Sequence, residues 1–275
     1  LRRLEGALDE EAMQALNGAA EDTSPGAAAS RFAADRFGVG QGAPVVSEGR
    51  SFARELGAAV RAHGPRHLLL VLLPLGLAAL LGIPLGVLAH RWPRVGSALL
   101  AVSGVVQTIP SLALLCFLIP ALGIGLAPSL AALFLYALFP IVQGTLLGLG
   151  GIPRTLREAT ELLELRPRTR LLRVELPLAA PAILAGLRTA TVLAIGTATL
   201  AAFVGAGGLG QPISTGLTLN DPRLILAGAL PAALLALVAH GAFALGARWL
   251  VPRGLRLEVR ARDESDPSPG WSAAP

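Results

Sequence analysis

Long apolar runs, separated by short polar segments, dominate the chain from residue 68 onward. Five of these runs cover about 68–90, 97–122, 127–150, 179–204 and 224–250. Each run is long enough for an α-helix to cross a bilayer, which takes about 20 apolar residues. Prolines inside the runs are compatible with this, because neighbouring helices satisfy the carbonyl groups that a proline frees. The pattern predicts an all-α, polytopic membrane helical bundle with five transmembrane helices, over residues 67–250.

The composition favours a membrane protein over a soluble one. Of the 275 residues, 53% are hydrophobic and 15% are charged, and the mean hydropathy is +0.63. Soluble domains carry charge on about a quarter of their residues. The net charge of +5 comes from arginines that flank the apolar runs. It therefore indicates membrane topology and contact with lipid, and we expect no nucleic-acid partner.

The first part of the chain differs from the rest. Residues 1–40 have a soluble character, with signals for short helices. Residues 41–66 combine a linker with an amphipathic helix over 49–63. Such a helix suits the membrane interface, and the surface of a soluble domain is the alternative. Because the chain begins at Leu1 rather than Met, we expect it to be the later part of a longer product.

Arginines in the loops predict the orientation of the bundle, since they concentrate on the cytoplasmic side. The loop after the second run has none, and the loop after the fourth has only Arg223. The arginines of the other loops and the tail are Arg91, Arg94, Arg154, Arg157, Arg166, Arg168, Arg170, Arg173, Arg253, Arg256, Arg260 and Arg262. This predicts a cytoplasmic loop at 152–178, a cytoplasmic and disordered tail at 251–275, and an extracytoplasmic N-terminus.

The sequence offers no catalytic constellation, so we expect the chain not to be an enzyme. Its histidines, at positions 63, 67, 90 and 240, are scattered, which disfavours a metal site. The sequence has no lysine, so it cannot contain the phosphate-binding motif G-x-x-x-x-G-K-[ST]. We expect this chain to bind no cofactor. If transport is driven by ATP, another chain must hydrolyse it.

Polar residues inside the apolar runs are candidates for lining a translocation pathway, since such groups usually face a bundle interior or water. The candidates are Gln107, Thr108, Pro110, Ser111, Gln143, Arg188, Thr197 and Thr199. A threonine in a span commonly bonds only its own helix backbone. For Arg188 two interpretations stay open: its guanidinium extends to the cytoplasmic surface, or it faces a wet cavity.

Two other stretches are rich in small residues. A ridge at four-residue spacing runs through the fourth apolar run and allows close helix packing, either within the chain or across a two-fold axis. It consists of Gly186, Ala190, Ala194, Ala198 and Ala202. The glycine-rich segment 205–223 is expected to be a flexible external loop or a re-entrant gate.

The stretch EATELLELRPRTRLLRVELP, residues 158–177, is densely charged although it lies between apolar runs. The pattern predicts a helix over 154–166, a break at Pro167, and a second short helix over 168–176 that Pro177 ends. Two short helices at an angle would form a projecting knob. Such a knob can transmit motion from a soluble partner to the bundle.

This stretch resembles the EAA loop of ATP-binding-cassette importer permeases. The residues that match its pattern are Glu158, Ala159, Val174, Leu176 and Pro177. Thr160 replaces an alanine, and Glu164 stands where the family has glycine. If that glycine supplies a positive φ, Glu164 strains the turn by about 1 kcal/mol or more. Alternatively, Pro167 moves the break three residues onward.

Residues 66–250 resemble the permeases of glycine betaine/carnitine/choline importers, most specifically over 175–235. The resemblance implies a type I importer, MetI-like permease in the cytoplasmic membrane. It implies a homodimer that alternates access under the action of cytoplasmic ATPase subunits, which bind the ATP and Mg²⁺. The coupling residues would be Glu158, Ala159, Thr160, Glu164, Pro167, Leu176 and Pro177.

Residues 1–40 are similar to the C-terminal end of the substrate-binding protein of the same importers. This implies a substrate-binding domain as partner, fused upstream or separate. Two other interpretations stay open. One is the same importer class with another cargo, such as an amino acid or an ergothioneine-like betaine; the other is a membrane anchor or sensor that does not transport.

Overall fold

A computed structural model describes residues 10–22, 28–29, 31–32, 34–35 and 52–250. The chain divides into two units, Leu1–Glu55 and Leu56–Pro275. In the first unit, helix α1 spans Glu10–Asp22. The described residues are almost entirely helical, which confirms the all-α prediction. The predicted linker upstream of residue 49 and the predicted tail at 251–275 lie outside the described residues.

Helix α2 spans Phe52–Arg91 and contains the first predicted span. It continues through Pro65, Pro74 and Pro84, because each proline removes only one hydrogen bond and keeps a helical φ. The amphipathic segment was predicted as a separate helix over 49–63. The structure makes its described residues the first turns of α2, continuous with the first span. The location of this segment at the membrane interface stays a prediction.

The second predicted span is broken. Helix α3 spans Pro93–Thr108 and helix α4 spans Ser111–Leu122, and their axes differ by 101°. The residue before a proline is pushed out of the α region, and Ile109, before Pro110, has φ −70° and ψ 128°. A continuous helix over 97–122 was therefore the wrong prediction. Within the described ranges, four helices are long and apolar enough to cross a membrane, or five if this bent pair is one span.

Helix α5 spans Leu126–Gly150 and leads into a polar segment. That segment contains helix α6 (Arg154–Leu162), helix α7 (Pro167–Arg170) and a π-helical stretch (Leu171–Glu175). Helix α8 (Leu176–Leu200) follows without a break and ends in a 3₁₀ turn, Ala201–Val204.

Two predictions for this segment are corrected. The first helix ends at Leu162 instead of residue 166, because the chain turns at Glu164, which has a positive φ. Pro177 does not end the second helix, since it occupies the first turn of α8, where its missing N–H costs least.

Helices α5 and α8 pack with their backbones almost in contact. A methyl group added at Gly186 would lie 2.4 Å from the Pro140 carbonyl oxygen, and one added at Gly144 would lie 2.7 Å from that of Ala182. Ala190 and Ala198 on the same ridge are fully buried. The small-residue ridge therefore packs within the chain, which selects the first of the two interpretations. In a bilayer this close packing, rather than the hydrophobic effect, stabilises helix association.

The glycine-rich segment after α8 is partly helical. Helix α9 spans Gly210–Leu219 and helix α10 spans Pro222–Leu250. Asn220, with φ 51°, ends α9 in the left-handed region, and the Asp221 carboxylate accepts the backbone N–H of Arg223 at 2.9 Å to cap α10. The expectation of a wholly flexible loop over 205–223 is therefore wrong.

Two glycines hold α9 tightly against its neighbours. A methyl group at Gly210 would lie 1.8 Å from the Thr199 carbonyl oxygen, and one at Gly228 would lie 2.5 Å from that of Leu209. The end of α8, α9 and the start of α10 are therefore in backbone contact with one another.

Candidate functional site

The first candidate surface is the polar segment between α5 and α8. On α6, the Arg154 Nε donates to the Glu158 Oε1 at 2.8 Å, and the two side chains are 92% and 56% exposed. An ion pair this exposed contributes little to stability. The carboxylate of Glu158 is therefore accessible to a partner from solution.

Helix α6 is attached to the end of α5. The Arg157 guanidinium donates to the Leu149 carbonyl near the C-terminus of α5, where helical carbonyls lack partners of their own. Thr160 is buried and donates to the Arg157 carbonyl at 2.7 Å. Ile152 packs in a buried cluster with Leu149 and Ala179. These contacts join this polar segment to α5 and α8.

Glu164 adopts the strained turn that was one of the two predicted consequences of replacing glycine. Its φ is +49°, a left-handed conformation that costs a non-glycine residue about 1 kcal/mol. The alternative, in which Pro167 moves the break onward, is wrong. The shape of the turn is the one that a glycine would adopt without strain.

An apolar surface lies beside Glu158. Leu162, one helical turn further along α6, is 86% exposed, and Leu163 is 69% exposed. Ala159 is also exposed. Leucines this exposed on a polar segment are typical of a surface that another protein covers.

Across the break, two hydrogen bonds join the broken span to α5. The Gln107 amide Nε2 donates to the Tyr136 carbonyl at 2.8 Å, and the Tyr136 hydroxyl donates to the Ile109 carbonyl. We call these two bonds the Tyr136 clasp. Because Pro110 leaves the backbone at the break without helical partners, the clasp satisfies a carbonyl that the break exposes. Gln107 was predicted to line the pathway, and in this structure its amide instead bonds the backbone of α5.

The other pathway candidates occupy two levels of the bundle. The break packs with Leu200 and Val204 at the end of α8, near Thr197 and Thr199 in sequence. Gln143 is exposed on α5 beside Gly144, which contacts Gly186, so it lies at the level of Arg188. The hydroxyls of Thr108 and Thr199 donate to carbonyls of their own helices at 2.7 Å. Pro110 precedes α4 as an exposed residue, and Ser111 begins that helix half-buried.

Arg188 lies at the midpoint of α8 and contacts His240 of α10. Its Nε donates to the His240 Nδ1 at 3.2 Å, and its Nη2 lies 3.0 Å from the same nitrogen. Arg188 is half-buried and His240 is exposed on the single chain. The guanidinium is therefore held at the middle of the helix by an imidazole, and the interpretation in which it extends to the membrane surface does not describe this conformation.

A cavity of about 420 Å³ opens where α8 meets α9. Its lining residues are Ala202, Phe203, Ser214, Thr215, Thr218 and Leu219. The three hydroxyls donate to carbonyls of α9, which leaves oxygen lone pairs available as acceptors. Phe203 is 51% exposed, and an aromatic face attracts quaternary ammonium ions.

Three residues in these sites were missed by the sequence analysis. Tyr136 is the only tyrosine of the chain, and a lone phenol in an apolar run was a usable signal. His240 was set aside as scattered, because only the fold brings it to Arg188. His67 is fully buried, and within the described residues neither ring nitrogen has a hydrogen-bond partner, although the ring faces the Ile195 backbone. A methyl group added at Gly208 would lie 3.3 Å from the His67 Nδ1.

The described residues contain no group of His, Cys, Asp or Glu that could hold a metal ion. The candidate sites therefore consist of a docking surface on α6, a clasped break in one span, and a polar side of α8. None of them assembles the residues of a catalytic centre.

Comparisons with known proteins agree with this architecture. The chain is 41% identical over 190 residues to the choline transport system permease protein of Bacillus subtilis, covering 69% of this chain and 88% of that protein. It is 40% identical over 190 residues to the glycine betaine/carnitine/choline transport system permease protein of the same organism, again covering 69% and 88%.

The fold is that of a solved transporter. The chain matches a subunit of the MetNI methionine ABC transporter, in an inward-facing conformation, with a TM-score of 0.62 and 20% identity. The match covers 73% of this chain and 96% of that subunit. The predicted MetI-like permease fold is therefore confirmed. Residues 79–254 match the family described as "Binding-protein-dependent transport system inner membrane component". The chain is a multi-pass inner-membrane permease and belongs to this family.

Proposed function

We propose that this chain is the membrane-spanning permease subunit of an ATP-binding-cassette importer for small quaternary ammonium osmoprotectants. One observation carries the proposal. Over 88% of their length, permeases named for choline and for glycine betaine, carnitine and choline are about 40% identical to it. Both relatives are named for the compounds that they transport, and choline is common to the two names.

The mechanism we propose is alternating access: two copies of the chain enclose a pathway that opens first to one side of the membrane and then to the other. Cytoplasmic ATPase subunits bind and hydrolyse ATP with Mg²⁺, and their closure pushes α6. The contact between Arg157 and the end of α5 transmits that displacement. The α5–α8 pair, whose backbones touch through Gly186, then moves as one body and changes which side of the membrane the pathway opens to.

The proposed docking surface on the ATPase side consists of Glu158, Ala159 and the exposed leucines that follow, while the buried Thr160 supports the helix from within. Its features are an accessible carboxylate beside apolar side chains, a combination that suits a protein interface. Glu164, Pro167, Leu176 and Pro177 shape the turn and the entry into α8. The substrate-binding domain, fused upstream or separate, would act on the opposite side of the membrane, where the arginine pattern predicts that the N-terminus lies.

Uptake in cells tests the cargo. Cells that lack their own osmoprotectant importers would receive the full-length protein with its ATPase and binding domain, and uptake of labelled glycine betaine, carnitine and choline would be measured. We expect concentrative uptake of at least one of the three. Uptake of an amino acid or of ergothioneine instead would overturn the cargo and keep the importer. Absence of any ATP-dependent transport would favour a membrane anchor.

A charge reversal tests the docking surface. We expect Glu158→Arg to leave membrane insertion intact while it abolishes co-purification of the ATPase subunits and lowers uptake at least tenfold. The same substitution at Glu55, in the first turn of α2 and far along that helix from its Arg91 end, is the control and should change neither. Full uptake by the Glu158 variant contradicts the docking role.

A further inference from the structure

Arg188 presents a charge at a depth where charge is costly. It stands at the midpoint of α8, Leu176–Leu200, which is one of the helices long and apolar enough to cross the membrane. A cation in the hydrocarbon core costs several kcal/mol, so such residues face protein or a water-filled path. Arg188 is half-buried rather than enclosed in the single chain. A wet path beside α8 is the environment that suits it.

Within the described residues, no carboxylate forms an ion pair with Arg188. The apolar runs of α3, α4, α5, α8 and α9 contain no Asp or Glu, and neither does α10. The one described hydrogen-bond partner of the guanidinium is the His240 imidazole, which carries no negative charge. The pair therefore has a net positive charge, with guanidinium donors to spare for an anion.

The cavity between α8 and α9 lies beyond Arg188 along α8, at the C-terminal end of that helix. Thr199 lies eleven residues beyond Arg188, which is about three helical turns, so both lie on the same side of α8. Ala202 and Phe203, in the next turn, line the cavity with Ser214, Thr215 and Thr218. Between Arg188 and Thr199 on that side, Ile195 is buried, so the cavity and the guanidinium are separate in this conformation.

We propose that Arg188, supported by His240, binds the carboxylate of a zwitterionic betaine at the middle of the translocation pathway. This deepens the proposed function and rests on it. The positive charge attracts a cargo that carries a carboxylate besides its quaternary ammonium group, and it repels a cargo such as choline, which has a cationic group alone. The cargo class is therefore a betaine with a carboxylate, and His240 is a positioning residue that orients the guanidinium.

The test compares two cargoes in the complete importer, with its ATPase and binding domain, reconstituted in proteoliposomes. Glycine betaine and choline are the probes, and the readout is the ratio of their initial uptake rates at saturating concentration. We expect Arg188→Gln to lower glycine betaine uptake at least tenfold while choline uptake stays the same or rises. Arg188→Lys, which keeps the charge but not the planar fork, should recover part of the glycine betaine uptake.

Controls separate this role from a structural one. Thr189→Val, on the neighbouring exposed position of α8, should leave the ratio unchanged, and assembly with the ATPase subunits reports folding of each variant. His240→Gln should raise the KM for glycine betaine with little change in kcat.

The outcomes are distinguishable. An equal loss for both cargoes in Arg188→Gln, or no loss for either, overturns the carboxylate role and leaves the importer assignment standing. If the unsubstituted importer carries neither cargo, the proposed function fails, and this inference fails with it.

Discussion

Helix α8 has one face packed against α5 and another face that is open in the single chain. On the packed face, Gly186 and the alanines of the ridge bring the two backbones together. On the open side, Arg188 contacts His240 of α10. Only two positions separate Gly186 from Arg188. A single helix can thus combine a rigid packing surface with a polar lining, because helical geometry turns adjacent positions to different sides.

The largest expected effect is on the free energy of unfolding, when one methyl group is added to the packed face of α8 and one to its open face. Gly186→Ala places a carbon 2.4 Å from a backbone oxygen of α5, so we expect the free energy of unfolding to fall by about 1–3 kcal/mol. Gly196→Ala meets nothing within 4 Å, and we expect it to rise by about 0.5–1 kcal/mol. Thermal unfolding of the purified protein in detergent measures both. Shifts of the same sign would remove the distinction between the faces.

The Tyr136 clasp shows whether the tight packing extends along α5 to the broken span. Tyr136→Phe deletes the hydroxyl that bonds the Ile109 carbonyl, so we expect a loss of about 1–2 kcal/mol. Gln107→Leu deletes the other bond. Because both bonds cross one break, the double variant should lose less than the sum of the single losses. Simple additivity in the unfolding measurements would mean that the two bonds act independently.

Two threonines of α8 provide a matched pair for transport. Thr191 is buried and donates to Leu187, whereas Thr199 lies on the side of Arg188 and donates to Gly196, both at 2.7 Å. We expect Thr199→Val to lower glycine betaine uptake about threefold, the value of a weak neutral hydrogen bond. Thr191→Val should affect stability alone. A larger transport defect for Thr191→Val than for Thr199→Val would mean that the pathway does not follow the side of α8 that carries Arg188.

The smallest effect concerns the turn that precedes α8. Glu164→Gly should raise the free energy of unfolding by at most about 1 kcal/mol, since glycine adopts φ +49° without strain. Glu164→Ala should bring no such gain, because alanine keeps the strain. If the two variants behave alike, the turn is not strained. An unchanged uptake rate in Glu164→Gly would show that coupling never needed the glycine.

Hydrophobic run length was enough to predict the helical class and four continuous spans. It also predicted the position of the broken span, which is the second along the chain. The break at Ile109–Pro110 was missed because a proline inside an apolar run is compatible with both a continuous and a broken helix. Which one forms depends on whether a neighbour satisfies the freed carbonyl. Here Tyr136 does so from a different helix, and run length carries no information about that contact.

The candidate site was predictable in type but not in arrangement. The family pattern gave Glu164 as one of two places for the turn, because a glycine is replaced there, although the helix itself was predicted to continue to residue 166. Arg188 was recognised as unusual by its depth alone. Its contact with His240 joins positions 52 residues apart, and only the packing of α10 against α8 establishes it. Likewise, the small-residue ridge indicated close packing, but only the three-dimensional fold shows that it packs against α5.

The backbone contacts around α9 also determine where bending can occur. Gly210 touches the Thr199 carbonyl, and Gly228 touches that of Leu209, with no side chain between them. Interfaces without side chains have no rotamers to adjust, so they cannot absorb relative displacement. The end of α8, α9 and the start of α10 would therefore act mechanically as a stiff corner. We therefore expect bending to occur outside that corner, and the turns around Pro110 and Glu164 are two places outside it where helical continuity is interrupted.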